Sequence, residues 1–281
     1  MKKQLRAVLF AVLVLCMLTV TAIAASAATP FTTGGKSYAT LEEAVAAVAD
    51  GGTVTVTESV TLNADIVLAE SKTYTIAGAT GSEVITFTNS TTLGNIQINA
   101  GTVTFENLSV LAQSSNAVIV SNKGTTLTIE SGSYKSSGST DATGCSVAVG
   151  GYATLNINDG TFVGAIGPYS SSAAAGSYIT VNGGTFSQNP SLMGGGYYAR
   201  LFNANRAGTN ITINGGNFTY VTNSTSASAG IYISSVSASV TVNAVLLTAA
   251  ALTKTRSLKS ATATLPLWMM PISESASLPL R

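Results

Sequence analysis

From about residue 50 to residue 243 the chain is written in short runs in which apolar and polar positions alternate. Leu127-Thr-Ile129, Leu155-Asn-Ile157, Ile179-Thr-Val181 and Ile211-Thr-Ile213 each place a hydroxyl or amide between two branched apolar residues. A period of two belongs to an extended strand with one buried face. Each run leads into a related turn, giving Leu127–Tyr134, Leu155–Phe162, Ile179–Phe186 and Ile211–Phe218, with weaker copies at Val103–Leu108 and Val240–Asn243. Their starts, 103, 127, 155, 179, 211 and 240, are separated by 24, 28, 24, 32 and 29 residues. Self-similarity at such a period marks a solenoid. A second short strand is predicted ahead of the motif at Ala117–Val120, Ser146–Val149, Ala199–Phe202 and Gly230–Ile233. One unit is therefore a turn of short strands whose apolar face closes only when neighbours stack on it.

Stacking assigns a task to each column of the repeat. The two apolar residues of each run point inward. Next comes a column of Glu106, Glu130, Asn158, Asn182, Asn214 and Asn243. Asparagine at a corner can take the left-handed conformation, and stacked amides can hydrogen-bond along the axis. Gly132, Gly160, Gly184 and Gly216 follow, where a tight corner needs positive φ. Tyr134, Phe162, Phe186 and Phe218 then form an aromatic column. Each such ring buries about 150–250 Å², several kcal/mol before entropy at about 25 cal/mol per Å².

Residues 40–49 carry the clear helical signal of the body. Thr40 and Glu43 form a capping box, Leu41, Ala44, Val45 and Val48 share a face, and Gly51-Gly52 should stop the helix. Strands are expected next at Thr53–Val56, Ser59–Leu62, Tyr74–Ile76 and Val84–Phe87. On Tyr38-Ala-Thr-Leu-Glu-Glu-Ala-Val-Ala-Ala-Val-Ala-Asp-Gly-Gly-Thr-Val-Thr-Val56 and the repeats behind it, the chain resembles the pectin-lyase-like right-handed parallel β-helix superfamily over residues 36–243. It is also similar to non-enzymatic secreted bacterial surface proteins with Asn-Gly-Gly-Thr-Phe repeats. The resemblance implies an all-β fold, a right-handed parallel β-helix whose open end is plugged by the amino-terminal helix.

Composition narrows the function. Lys2, Lys3 and Arg6, an apolar run to about Ala24 and the small residues Ala25-Ser-Ala27 read as a signal peptide cleaved after Ala27, so the chain is expected outside the cell or at its surface, with no membrane segment once cleaved. Cys145 is then the remaining cysteine, and no intrachain disulfide forms. Removing three basic residues from 13 leaves 10 against 12 acidic, a net charge of −2, which excludes a basic nucleic-acid surface.

Enzymes of the resembling superfamily act on polysaccharides, and the resemblance implies clustered Asp or Glu, with calcium and an arginine base in lyases. Here Glu58, Asp65, Glu70, Glu83, Glu106, Glu130, Asp141 and Asp159 are scattered through the body. Stacking brings Glu106 and Glu130 to adjacent turns about 5 Å apart, yet their column continues as asparagine, the pattern of solvent-facing corner residues. Histidine is absent, which removes Ser-His, Cys-His and histidine metal chemistry. No cofactor or metal is expected, and no catalytic residues are assigned. The segment Gln188–Arg206 accounts for the 32-residue offset, and there Tyr197, Tyr198, Arg200 and Arg206 are the candidate ligand contacts, able to stack on a sugar and hydrogen-bond its hydroxyls. The competing reading packs Tyr198 or Phe202 on the core and leaves Tyr197 and the arginines in solvent. A Ser-, Thr- and Gly-rich segment, 135–144, reads as a flexible loop.

After Asn243 the motif stops, and Ala244-Val-Leu-Leu247 stands where Gly-Gly-Thr-Phe is due. Losing one G from AAC GGC GGT ACT TTT gives Asn-Ala-Val-Leu-Leu, and the same shift turns Trp268-Met-Met-Pro271 into Asp-Asp-Ala. Residues 244–281 therefore read as a frameshifted end. Their four basic residues and one acidic residue contrast with 6 basic and 11 acidic in 28–243. Chance codon matching, or a natural cap with a helix over Val245–Ala251, is the rival. The expected function is a secreted, non-catalytic scaffold, adhesin-like or carbohydrate-contacting, whose partners are extracellular polysaccharide or cell-surface components; the alternative is a polysaccharide lyase or glycoside hydrolase of the same fold.

Overall fold

The computed structural model describes residues 28–243 apart from 89–93, 139–143, 169–175, 191–199, 221–229, 234 and 236, together with the backbone at 246 and 247. The expected signal peptide, Asp141, Tyr197, Tyr198 and most of the tail lie outside these residues. The chain is nearly all β and coils as a parallel β-solenoid of three-strand turns. Turn 1 consists of Gly52–Val56, Val60–Leu62 and Ile66–Leu68, and turn 2 of Thr73–Gly78, Val84–Phe87 and Ile96–Ile98. Turn 3 is Thr102–Glu106, Leu108–Ala112 and Val118–Val120; turn 4 is Thr126–Ile129, Gly132–Ser136 and Cys145–Val149. Thr154–Ile157, Thr161–Val163 and Ala165–Pro168 make turn 5, and Ser177–Val181, Thr185–Ser187 and Phe202–Ala204 make turn 6. Turn 7 is Thr209–Ile213, Asn217–Thr219 and Ile231–Ile233, and an eighth begins with Ser239–Val242 and Leu246–Leu247.

The first strands of all turns stack into sheet A, the second into sheet B and the third into sheet C, each pairing parallel with its neighbour. The strand register repeats the sequence alignment, with Leu127, Leu155, Ile179, Ile211 and Val240 in successive pairs. These residues and the inward residues of sheets B and C form one continuous core. Tyr134, Phe162, Phe186 and Phe218 stack inside it with centroid separations of 5.3, 4.9 and 5.0 Å. Tyr134 keeps its polar end satisfied by donating to the Ser131 carbonyl at 3.0 Å, and burial raises its hydroxyl pKa.

The amino-terminal end is closed by two devices. Phe31–Thr33 and Lys36–Tyr38 form a hairpin whose first strand pairs antiparallel with Gly52–Val56, covering the edge of sheet A. Its two-residue turn, Gly34-Gly35 with φ of +55° and +75°, is a legible hairpin signal that the strand reading passed over. Helix α1, Leu41–Ala47, buries Leu41, Ala44 and Val45 and carries the expected capping box. It is shorter than the anticipated 40–49, because Val48 is already extended (φ −65°, ψ 139°), three residues before the glycines. Lys72 Nζ donates to the Ala46 and Val48 carbonyls at 3.1 and 2.9 Å, satisfying acceptors that the early end exposes. Glu42 in turn accepts the Val67 N–H, an edge donor of sheet C.

Three expectations need correction. The corner asparagines of the repeat do not take positive φ; the glycines do, at +116° to +126° for Gly132, Gly160 and Gly216 and +103° for Gly184, while Asn107 and Asn122, outside that column, make left-handed corners within and after turn 3. The strand expected at Ala199–Phe202 begins instead at Phe202 and runs to Ala204, paired with Ile231–Ile233. Leu246–Leu247 is a strand against Asn217–Phe218 rather than part of a helix, and the other residues weighed for that helix, 245 and 248–251, lie outside the described ones.

Candidate ligand-facing site

The A–B corner is built by local chemistry. After the last inward residue of sheet A, the amide side chain faces out, and the glycine behind it lets the backbone reverse. Asn182 Nδ2 donates to Asn158 Oδ1 at 2.9 Å, Asn214 to Asn182 at 2.8 Å and Asn243 to Asn214 at 2.7 Å. Asn158 Nδ2 ends the ladder on Glu130, 2.9 and 3.0 Å from its two carboxylate oxygens. The first glycine of each Asn-Gly-Gly turn serves close approach: a Cβ at Gly183 would overlap the Asn158 carbonyl.

Other carboxylates are held by their own surroundings. Glu83, in the A–B corner of turn 2, accepts from the Thr80 hydroxyl at 2.6 Å and from the Thr80 and Gly81 N–H groups at 3.0 Å. These bonds, led by the hydroxyl, pull its pKa down to about 2. Asp65 accepts from Asn95 N–H at 3.1 Å and from Gln97 Nε2 at 2.9 Å; burial raises its pKa, partly offset by the Asn95 bond. Asp159 accepts from the Gly160 N–H at 2.7 Å. Register sets Glu106 opposite Glu130, since Phe105 pairs with Ile129. Among the described residues no group of three or more Cys, Asp or Glu is placed to hold a metal.

The B–C corner varies in length. It is Gly164 alone in turn 5, residues 137–144 in turn 4 and residues 188–201 in turn 6. Asn189 Nδ2, from the turn 6 segment, donates to the Gly138 carbonyl of turn 4 at 2.8 Å, bridging over the one-residue corner between them. Gly164 fits below at φ +121°, where a Cβ would stand 2.6 Å from the Gly144 carbonyl.

The structure places the candidate ligand residues unequally. Arg200 is only 5% exposed, and its guanidinium carbon lies 3.8 Å from the centroid of the Tyr232 ring. Phe202, two residues on, is in the core against Phe186 and Phe218. Arg206 is half-buried at the corner leading to Thr209–Ile213. Burial of Arg200 thus departs from the reading that left it in solvent. Its stacking partner was not singled out, although Ile231-Tyr-Ile233 places Tyr232 on the outward parity of sheet C. Tyr178 was missed in the same way: it occupies the polar parity of Ser177–Val181 and is 48% exposed.

No protein-family model, curated protein or solved structure matches this chain.

Proposed function

We propose that this chain is a secreted, non-catalytic β-solenoid scaffold, adhesin-like or carbohydrate-contacting, that meets extracellular polysaccharide or cell-surface components. The observation that carries this reading is the use made of Glu130. Register sets it opposite Glu106, and both of its oxygens accept the amide of Asn158 at the end of the ladder. Paired-carboxylate chemistry needs one group to donate a proton and the other to accept or attack. A carboxylate that terminates an amide ladder is positioned for folding. Glu83 and Asp159 are likewise engaged with corner backbone.

The test joins binding to turnover. The mature chain is screened for retention by a panel of polysaccharides while unsaturated and reducing ends are assayed in the same samples. Retention without release of ends is expected. Release of ends that Glu130→Gln or Glu106→Gln abolishes would replace the scaffold with a lyase or hydrolase.

A further inference from the structure

The outer face of sheet A carries two columns of uncharged polar residues. In one, register sets Thr73, Thr102, Thr126 and Thr154 in line and then changes to Tyr178 and Asn210. In the other, two residues along each strand, threonine stands at every turn from Thr53 to Thr241 except at Asn156. The hydroxyls repeat about every 4.8 Å along the axis and about 6.6 Å along the strand. Threonine suits an outward strand position, so these columns alone assign nothing. What interrupts them does.

Tyr178 projects at 48% exposure, and Tyr152, at the corner entering turn 5, is 43% exposed. Tyr152 has φ +62°, a region that residues with side chains rarely occupy. Two glycines make a bed for its ring. A Cβ at Gly176 would overlap ring atom Cε1, and one at Gly208, a turn further, would lie 3.5 Å from the same atom. The two tyrosines are also tied together through the backbone: Tyr152 N–H donates to the Gly176 carbonyl at 3.2 Å and Tyr178 N–H to the Ala153 carbonyl at 3.0 Å. One bordering column changes at the same boundary. The corner column bordering this face is Glu106 and Glu130 in turns 3 and 4, and becomes asparagine from turn 5, where the tyrosines begin.

Exposed aromatic faces beside an uncharged lattice of hydroxyls and amides suit pyranose rings, whose C–H faces stack and whose hydroxyls exchange hydrogen bonds. An anionic chain would find no cation on the strands of this face, Thr154–Ile157, Ser177–Val181 and Thr209–Ile213. We infer that the outer face of sheet A at turns 5 to 7 binds a neutral polysaccharide along the solenoid axis, with Tyr152 and Tyr178 as stacking platforms and Thr154, Thr180 and Asn210 as hydrogen-bonding partners. This rests on the carbohydrate-contacting reading above but puts the contact on sheet A, away from Arg200 at the end of the enlarged B–C corner.

Affinity electrophoresis of the mature chain through gels containing barley β-glucan, hydroxyethyl cellulose or polygalacturonate tests it. The neutral polymers should retard the wild type, and Tyr178→Ala and Tyr152→Gly should each weaken that by about tenfold, the loss of one good contact. Tyr178→Phe should retain binding, and an unchanged thermal midpoint of Tyr178→Ala confirms the fold. If the wild type is retarded and both tyrosine variants match it, this face is wrong while the carbohydrate reading stands; loss in Arg206→Ala would then move the contact to the corner between Ala204 and Thr209. Retardation by polygalacturonate alone overturns the neutral assignment. Retardation by none of the three overturns both.

Discussion

The two corners that flank sheet B solve the same geometric problem in opposite ways. At the A–B corner, turns 5 to 7 each use an asparagine followed by a glycine or aspartate and then a left-handed glycine, and the amides bond in one direction down to Glu130. At the B–C corner the connection runs from Gly164 alone to residues 188–201, and polar side chains reach across to whatever carbonyl lies near. A uniform corner can share one hydrogen-bond pattern between turns, because each turn presents the same groups at the same height. A variable corner has to satisfy its buried backbone individually, as Asn189 does for Gly138 and Ser136 for the Ser115 carbonyl at 2.8 Å. Periodic corners therefore write themselves into the sequence, and aperiodic ones do not.

The largest effect should come from the residue that touches both regions. Phe186 stacks on Phe162 and Phe218 within the column and meets Phe202, just past the B–C corner, at 5.4 Å. Phe186→Ala should cost about 3–5 kcal/mol in chemical denaturation, through lost burial and the cavity left behind. A loss under about 1 kcal/mol would mean that neighbouring turns collapse into the space.

The corners themselves are separated by Asn189→Ala and Asn182→Ala. Asn189 is 1% exposed, so its loss strands a carbonyl away from water, and about 1–3 kcal/mol is expected. Asn182 is exposed, and water replaces the ladder bonds to Asn158 and Asn214; about 0.5–1.5 kcal/mol is expected. The reverse order would show that the ladder is cooperative beyond its single bonds.

A smaller gain should follow from restoring the A–B corner where it lapses. Replacing Ala244-Val-Leu-Leu247 with Gly-Gly-Thr-Phe should raise stability by about 0.5–1 kcal/mol by stacking a ring at 247 on Phe218, and slow amide exchange at 246 and 247, which already pair with 217 and 218. Sequencing the coding DNA tests the frameshift reading directly: one inserted base near codon 244 should restore solenoid-like sequence downstream.

The subtlest test is acid titration of Glu83. Its folded pKa of about 2 lies below the ordinary 4.5, so its contribution is complete above about pH 4.5 and is lost as the pH falls towards 2. Glu83→Gln should flatten that acid limb in a pH series of thermal midpoints and leave the neutral region's slope unchanged. An unaltered acid limb would assign it to other carboxylates.

Sheet A and its corner were readable without coordinates because a two-residue alternation and a glycine at a constant offset are local facts. The capping box of Thr40 and Glu43 was readable for the same reason. Three kinds of feature were not. The early end of α1 depends on Lys72, which arrives from the next turn to cap its carbonyls. The burial of Arg200 depends on Tyr232, one turn further along sheet C. The strained exposure of Tyr152 depends on Gly176 and Gly208 in the next two turns. Residue order carries the rung, because each rung is made of near neighbours with fixed parity. The stack decides which outward residues are covered, since that depends on groups 24 to 56 residues away whose relation appears only when turn lies on turn.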